Sequence, residues 1–140
     1  MMVKREKIWL ANLIVYIFIV FYFAVMNRES GTSNTIKLDL FWGYNELKDY
    51  VIRDKLINIA FFIPIGLLTG LVFKKNCMLK TMLIGLLVSL VIECSQLLMR
   101  RGVFDVDDIF NNTVGALVGG AIVVLIDEIR LSKECKVNRQ

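Results

Sequence analysis

Histidine is absent from this chain of 140 residues. The absence removes the side chain most used as a general base near neutral pH and the commonest transition-metal ligand. Proline occurs once, at Pro64, so little interrupts a long helix. The three cysteines, Cys77, Cys94 and Cys135, have no C-x-x-C spacing, which argues against a zinc site and against a disulfide framework. Ser89 and Ser95 have no histidine or lysine partner to activate them and read as helix-packing hydroxyls. What the chain has in quantity is apolar surface. It is 56% hydrophobic with a mean hydropathy of +0.61, too apolar for an ordinary soluble domain. The length suits a single membrane domain over residues 1–140, with no separate soluble module.

Four apolar runs are long enough to cross a bilayer core of ~30 Å. They cover about residues 8–26, 56–73, 81–99 and 109–126. The first follows Lys4, Arg5 and Lys7, exceeds the usual apolar core of a signal peptide, and has no A-x-A site after it, so it reads as a retained helix. Trp9 and Tyr22 suit its two interfaces, and Asn12 reads as an interfacial or interhelical hydrogen-bonding group. In the second run Pro64 should bend the helix, and Asn58, Phe62, Ile65 and Thr69 share a face. Gly66 with Gly70, and Gly115 with Gly119, are small-xxx-small pairs for close helix packing. The expected fold is all-α, an integral membrane antiparallel four-helix bundle, because the turns near 74–80 and 100–108 are short.

Between the first two runs, residues 27–55 are polar with mixed charge. Ser30 to Asn34 is turn-like, Ile36, Leu38 and Leu40 alternate, and Phe41-Trp42 suits an interface. This segment is expected to lie along the outer membrane surface. The amino-terminal flank, the 74–80 loop and the tail hold dense Lys and Arg, which places both termini in the cytoplasm. The expected location is the bacterial plasma membrane, multi-pass.

The informative residues are polar ones inside or beside apolar runs. A carboxylate at mid-helix in lipid costs at least ~2.5–3.5 kcal/mol on insertion scales. Glu93, Gln96 and Arg100 fall at i, i+3, i+7, on one helix face, and Asp105, Asp108 and Asn112 repeat the step across a turn at Gly102. Glu93 lies ~10 Å below Arg100, and Asn112 ~6 Å below Asp108, at 1.5 Å per residue. With Asn58 these groups should line one outward-facing pocket in the outer leaflet, Glu93 deepest. An ionised Glu93 must be paired or else protonated. Arg100 or Arg101, or the amides Gln96, Asn112 and Asn58, are its expected partners. Singly, such residues read as helix glue; as a set they point to a ligand site. Asp105, Asp107 and Asp108 could hold a hard cation with Asn111 or Asn112, but D-V-D-D is not an EF-hand loop and acids in a turn are usually solvated, so no metal and no cofactor is expected.

The order Asn58-Ile-Ala-Phe-Phe-Ile-Pro64-Ile-Gly66, then Glu93-x-x-Gln96, Arg100-Arg101, and Asp105-x-x-Asp108-x-x-x-Asn112-x-x-Gly115 resembles the VanZ-like family of small bacterial membrane proteins. The resemblance covers about residues 56–126. The stretch Leu38-Asp39-Leu40-Phe41-Trp42 lacks a proline common in that family, so nothing is carried over to it. The resemblance implies a multi-helix membrane protein and a link to low-level resistance to teicoplanin, a lipoglycopeptide that targets cell-wall precursors. It does not bring catalysis with it. The reading favoured here is a non-enzymatic protein of the cell envelope that contributes to glycopeptide resistance. Its partners would be membrane lipid and a lipid-linked cell-wall precursor or lipoglycopeptide, with no nucleic acid. The alternatives are a membrane enzyme acting on a lipid phosphate head group, with Glu93 as acid or base, and a small transporter component with Glu93 as relay.

Overall fold

A computed structural model describes residues 4–29, 31, 35–39, 49–74 and 76–137, with backbone alone at 49–51 and 135–137. Helix α1 runs Lys4–Phe21 and continues as one π-helical turn, Tyr22–Met26. Helix α2 is Asp49–Val72, α3 is Cys77–Leu98 and α4 is Val106–Val137. All four are long and apolar enough to cross a membrane. The chain is therefore a multi-pass, all-α membrane protein.

The helices outrun the apolar segments that announce them. Helix α2 starts seven residues before Leu56, so residues 49–55, assigned from sequence to the surface segment although Tyr50, Val51 and Asp54 have helical spacing, belong to it. Helix α4 starts at Val106 and runs on to Val137. Hydropathy marks the stretch that suits lipid, whereas the i→i−4 hydrogen bonds of a helix carry on into charged flanks wherever nothing stops them. The interfacial role expected of Phe41-Trp42, and the turn at 32–34, lie outside the described residues. Within the first loop, Ile36–Lys37 forms a short strand, β1, that pairs in parallel with β2, Phe104–Asp105. Gly31 N–H also donates to the Arg100 carbonyl at 2.9 Å. The loop is thus stitched over the turn between α3 and α4.

Helices α2 and α4 form the centre, and α3 and α1 pack around them. Their interface is built from glycine. A Cβ on Gly115 would run into the carbonyl of Ile59, one on Gly119 into the carbonyl of Ile63, and one on Gly66 into the carbonyl of Ala116. Backbones this close gain dispersion contacts that lipid cannot offer, which is how helices associate without a hydrophobic drive. The inner faces carry Phe62, Ile65, Thr69, Thr81 and Ser89, while Phe18, Leu56, Leu87 and Leu125 are exposed to the surrounding apolar phase. Helix α1 is peripheral and buries only Leu13 and Val20 along Lys4–Phe21. Helix α2 passes through Pro64 as one element. Proline cannot supply the N–H that would reach the Ala60 carbonyl. One residue on, the Phe61 carbonyl accepts the Tyr16 hydroxyl of α1 at 3.2 Å.

The short α3–α4 connection includes Gly102, as expected, but its left-handed residue is Arg100. Arg101 N–H donates to the Gln96 carbonyl at 2.8 Å and Arg100 N–H to the Leu97 carbonyl at 3.2 Å. These two bonds make a Schellman C-cap, with Arg100 as its left-handed residue at φ 52°. Gly102 is used for closeness instead: a Cβ there would stand 3.0 Å from Arg28 Nη1 and from Gln96 Oε1. A left-handed non-glycine residue costs roughly 1–2 kcal/mol. Arg100→Gly is therefore expected to raise thermal stability by about 1 kcal/mol. Thermal unfolding of the purified variant checks this, and a clear loss of stability would show that the Arg100 side chain holds the turn.

Candidate functional site

The amino-terminal end of α4 organises the polar residues. Asp105 is its N-cap: Oδ1 accepts the Asp107 N–H at 2.9 Å. In a capping box the backbone N–H of the cap residue is satisfied by an acid three residues on. Here that acid, Asp108, is turned elsewhere, and Glu93 of α3 takes its place. Glu93 Oε2 accepts the Asp105 N–H at 3.0 Å. The carboxylate is 2% exposed and lies where the helix dipole of α4 favours negative charge.

Asp108 is turned to Lys55. The Lys55 ammonium lies 3.3 Å from Asp108 Oδ1, 3.3 Å from Asp107 Oδ2 and 3.8 Å from Asp105 Oδ2, and the residue is buried. The cation gathered by this acidic turn is thus a lysine from α2. Among the described residues no group of three or more Cys, Asp or Glu has the geometry to hold a metal ion. In the sequence Lys55 stands among the mixed charges of the first loop and looks like one more of them. The signal was there: Lys55 is three residues before Asn58, on the face that continues to Phe62, Ile65 and Thr69.

The π turn of α1 closes the other side. Gln96 Nε2 donates to the Ala24 carbonyl at 3.1 Å, and Arg28 Nη1 lies 3.5 Å from Gln96 Oε1. Arg101 Nη1 donates to the Met26 carbonyl at 2.6 Å and the Arg28 carbonyl at 3.2 Å. A single π turn displaces carbonyls from the α ladder, and these side chains occupy them. The expectation that Arg100 or Arg101 would pair with Glu93 is corrected. Arg101 is held by the end of α1, and Arg100 is exposed at the left-handed position of the turn. Asn112 serves a different helix contact, with Nδ2 donating to Ser89 Oγ at 2.8 Å. Ser95 Oγ bonds back to the Val91 carbonyl at 2.6 Å.

A cavity of about 260 Å³ opens among these groups. Its apolar wall includes Val20, Phe23, Ile57, Phe61, Phe62 and Ile92, and its polar wall Arg28, Asn58, Glu93, Gln96, Asp108 and Asn112. A second cleft of about 370 Å³ is lined by Arg28, Glu29, Arg101, Gly102, Val103, Asp105 and Asp108. Of the residues singled out from sequence, Asn58, Glu93, Gln96, Asp108 and Asn112 meet at the first cavity, and Arg101 and Asp105 lie on the second. Arg100 lines neither. Arg28 lines both and was missed, because two residues past an apolar run it looks like any flanking charge.

A family model described as VanZ/LLP1 matches residues 9–127. Protein VanZ of Enterococcus faecium is 36% identical over 67 residues, which is 48% of this chain and 42% of that protein. The chain thus matches less than half the length of this relative. No solved structure matches.

Proposed function

Because the family model spans most of it, the chain belongs to the VanZ/LLP1 family, and we propose that it acts in the bacterial cell envelope by receiving the polar head group of an amphiphile in the cavity beside Glu93. The observation that carries this reading is the composition of the cavity wall. Aromatic and aliphatic side chains form one side, and buried ionisable and amide groups the other. A wall divided in this way suits a molecule that is itself half apolar. Through that recognition the protein contributes to resistance against lipoglycopeptides of the teicoplanin type. The amphiphile is a lipid, a lipid-linked cell-wall precursor or the antibiotic itself.

The cavity end faces outward in this proposal, with both termini in the cytoplasm. Support comes from where the basic residues are. The short amino-terminal flank and the short 74–80 stretch, at the other end, carry Lys4, Arg5, Lys7, Lys74 and Lys80, whereas the basic residues before α2 are spread over a longer segment. Lys and Arg in short flanks set orientation. A cysteine replacing Asn34 should react with an impermeant maleimide on intact cells, and labelling confined to lysed cells would reverse the orientation.

Glu93→Gln tests the role of the cavity. The glutamine carbonyl can still accept the Asp105 N–H, so the fold should survive. The expected result is normal expression, by fluorescence-detected size exclusion, with loss of the growth advantage in teicoplanin. Undiminished resistance at normal expression would remove Glu93 from the site.

A further inference from the structure

We propose that the group received in this cavity is an ammonium: the amphiphile carries a primary amine, held by Glu93, Asp108 and Asn112 Oδ1. This rests on the head-group reading above and narrows its ligand class. The first observation is charge. The ionisable side chains on the wall, among the described residues, are two carboxyl groups, Glu93 and Asp108, and one guanidinium, Arg28, and the Lys55 ammonium beside Asp108 is shared among three aspartates. The second is the balance of donors and acceptors. Gln96 Nε2 gives one N–H to the Ala24 carbonyl and Asn112 Nδ2 gives one to Ser89 Oγ. Among the described residues the Oδ1 of Asn112 has no hydrogen-bond partner, although the residue is 4% exposed and lines the cavity. A buried acceptor left unmade costs its full desolvation penalty, so the site is completed by a donor.

An ammonium supplies three donors and one positive charge. It can bond to the unpartnered amide oxygen and offset the excess carboxylate. A phosphate in the same place would bring its negative charge against two carboxyl groups, and its oxygens, being acceptors, could not bond to the Asn112 oxygen. Arg28, which like Asp108 lines both the cavity and the neighbouring cleft, offers a cation to an anionic group next to the amine. A volume of about 260 Å³ is below that of most small-molecule pockets, which suits a head group with its chains left outside. Phe23 and Phe61, on the wall and exposed, mark the apolar side along which a chain would leave.

The test uses the full-length protein purified in detergent, with lipid binding read by native mass spectrometry. Phosphatidylethanolamine is compared with its N-acetylated form and with phosphatidylglycerol of the same acyl chains. The amine lipid is expected to bind at least about tenfold tighter than either, the ratio worth one charge-assisted hydrogen bond. Glu93→Gln is expected to bring that ratio close to one, and the wild-type comparison stands by itself should the variant fail to fold. A lipoglycopeptide with free or acetylated amines is then added as competitor. Displacement by the free amine alone makes the antibiotic a ligand of the same site, and no displacement assigns the site to the lipid; both agree with the proposal. Equal binding of the amine lipid and its acetylated form, or preference for phosphatidylglycerol, would overturn the ammonium while leaving the head-group reading in place. Absence of binding by every amphiphile would overturn both.

Discussion

Replacing Lys55 with Met is expected to remove most of the folded protein. The methionine fills a similar volume, so packing is nearly conserved, but the ammonium between Asp105, Asp107 and Asp108 is gone. Removing one partner of a buried ion pair costs about 3–5 kcal/mol, because the charges left behind are uncompensated. That cost is a large part of the stability of a typical domain. This is the cost of breaking the network; its net worth against apolar residues is small, because burying the charges costs desolvation. Asp107 is fully buried, so it is the carboxylate least able to find water once Lys55 is lost. Adding Asp107→Asn to Lys55→Met should therefore restore part of the folded population, and Lys55→Arg should be tolerated better than Lys55→Met. Size-exclusion profiles and thermal unfolding in detergent measure all three. A Lys55→Met protein that melts with the wild type would mean the three aspartates are neutralised in some other way.

Gly119→Ala is expected to be the more damaging of two neighbouring glycine changes. Its Cβ would run into the Ile63 carbonyl, with Leu67 N at 2.7 Å and the Gly66 Cα at 3.0 Å. All of these are backbone atoms, so a whole helix must move. Overpacking costs about 1–3 kcal/mol where side chains can adjust, and more where they cannot. Gly120→Ala supplies the contrast. Its Cβ would meet Thr81 Cγ2 and Oγ1 at 3.0 Å and Thr81 Cβ at 3.2 Å, all side-chain atoms and none under 3.0 Å. That contact asks a few tenths of an ångström of one side chain, and alanine returns up to ~1 kcal/mol of helix propensity. Gly119→Ala should lower the melting temperature by several degrees, and Gly120→Ala should leave it almost unchanged. Equal effects would mean that α2 and α4 can slide apart at no cost.

The candidate site shows why some of it could be read from the chain and some could not. Glu93, Gln96 and Asn112 stand out because each is polar where its neighbours are apolar, and lipid tolerates such residues only with a reason. Asn58 and Asp108 follow by helical spacing. Lys55 and Arg28 have the same chemistry but lie at the ends of apolar runs, where charged residues are ordinary. Nothing local separates a flanking lysine from one drawn under three aspartates of another helix. Arg100 failed in the opposite direction. Its i+7 spacing from Glu93 holds for a continuous helix, and the chain leaves the helix at Met99 through the left-handed turn.

By itself the sequence determined that this protein crosses a membrane with four helices, and that its unusual polar groups gather toward one end. Length, hydropathy and the 3.6-residue period are local properties, and lipid makes them decisive, since every backbone polar group must be satisfied within its own segment. The tertiary structure alone decided who pairs with whom. Glu93 caps the amino terminus of α4 in place of Asp108 because Lys55 has taken Asp108. Gln96 and Arg101 bind carbonyls of the π turn because α1 ends over the α3–α4 connection. Those choices depend on how closely α2 and α4 approach through Gly66, Gly115 and Gly119, and a partner that must be within ~3 Å is fixed by the position of another helix, which no window of sequence contains.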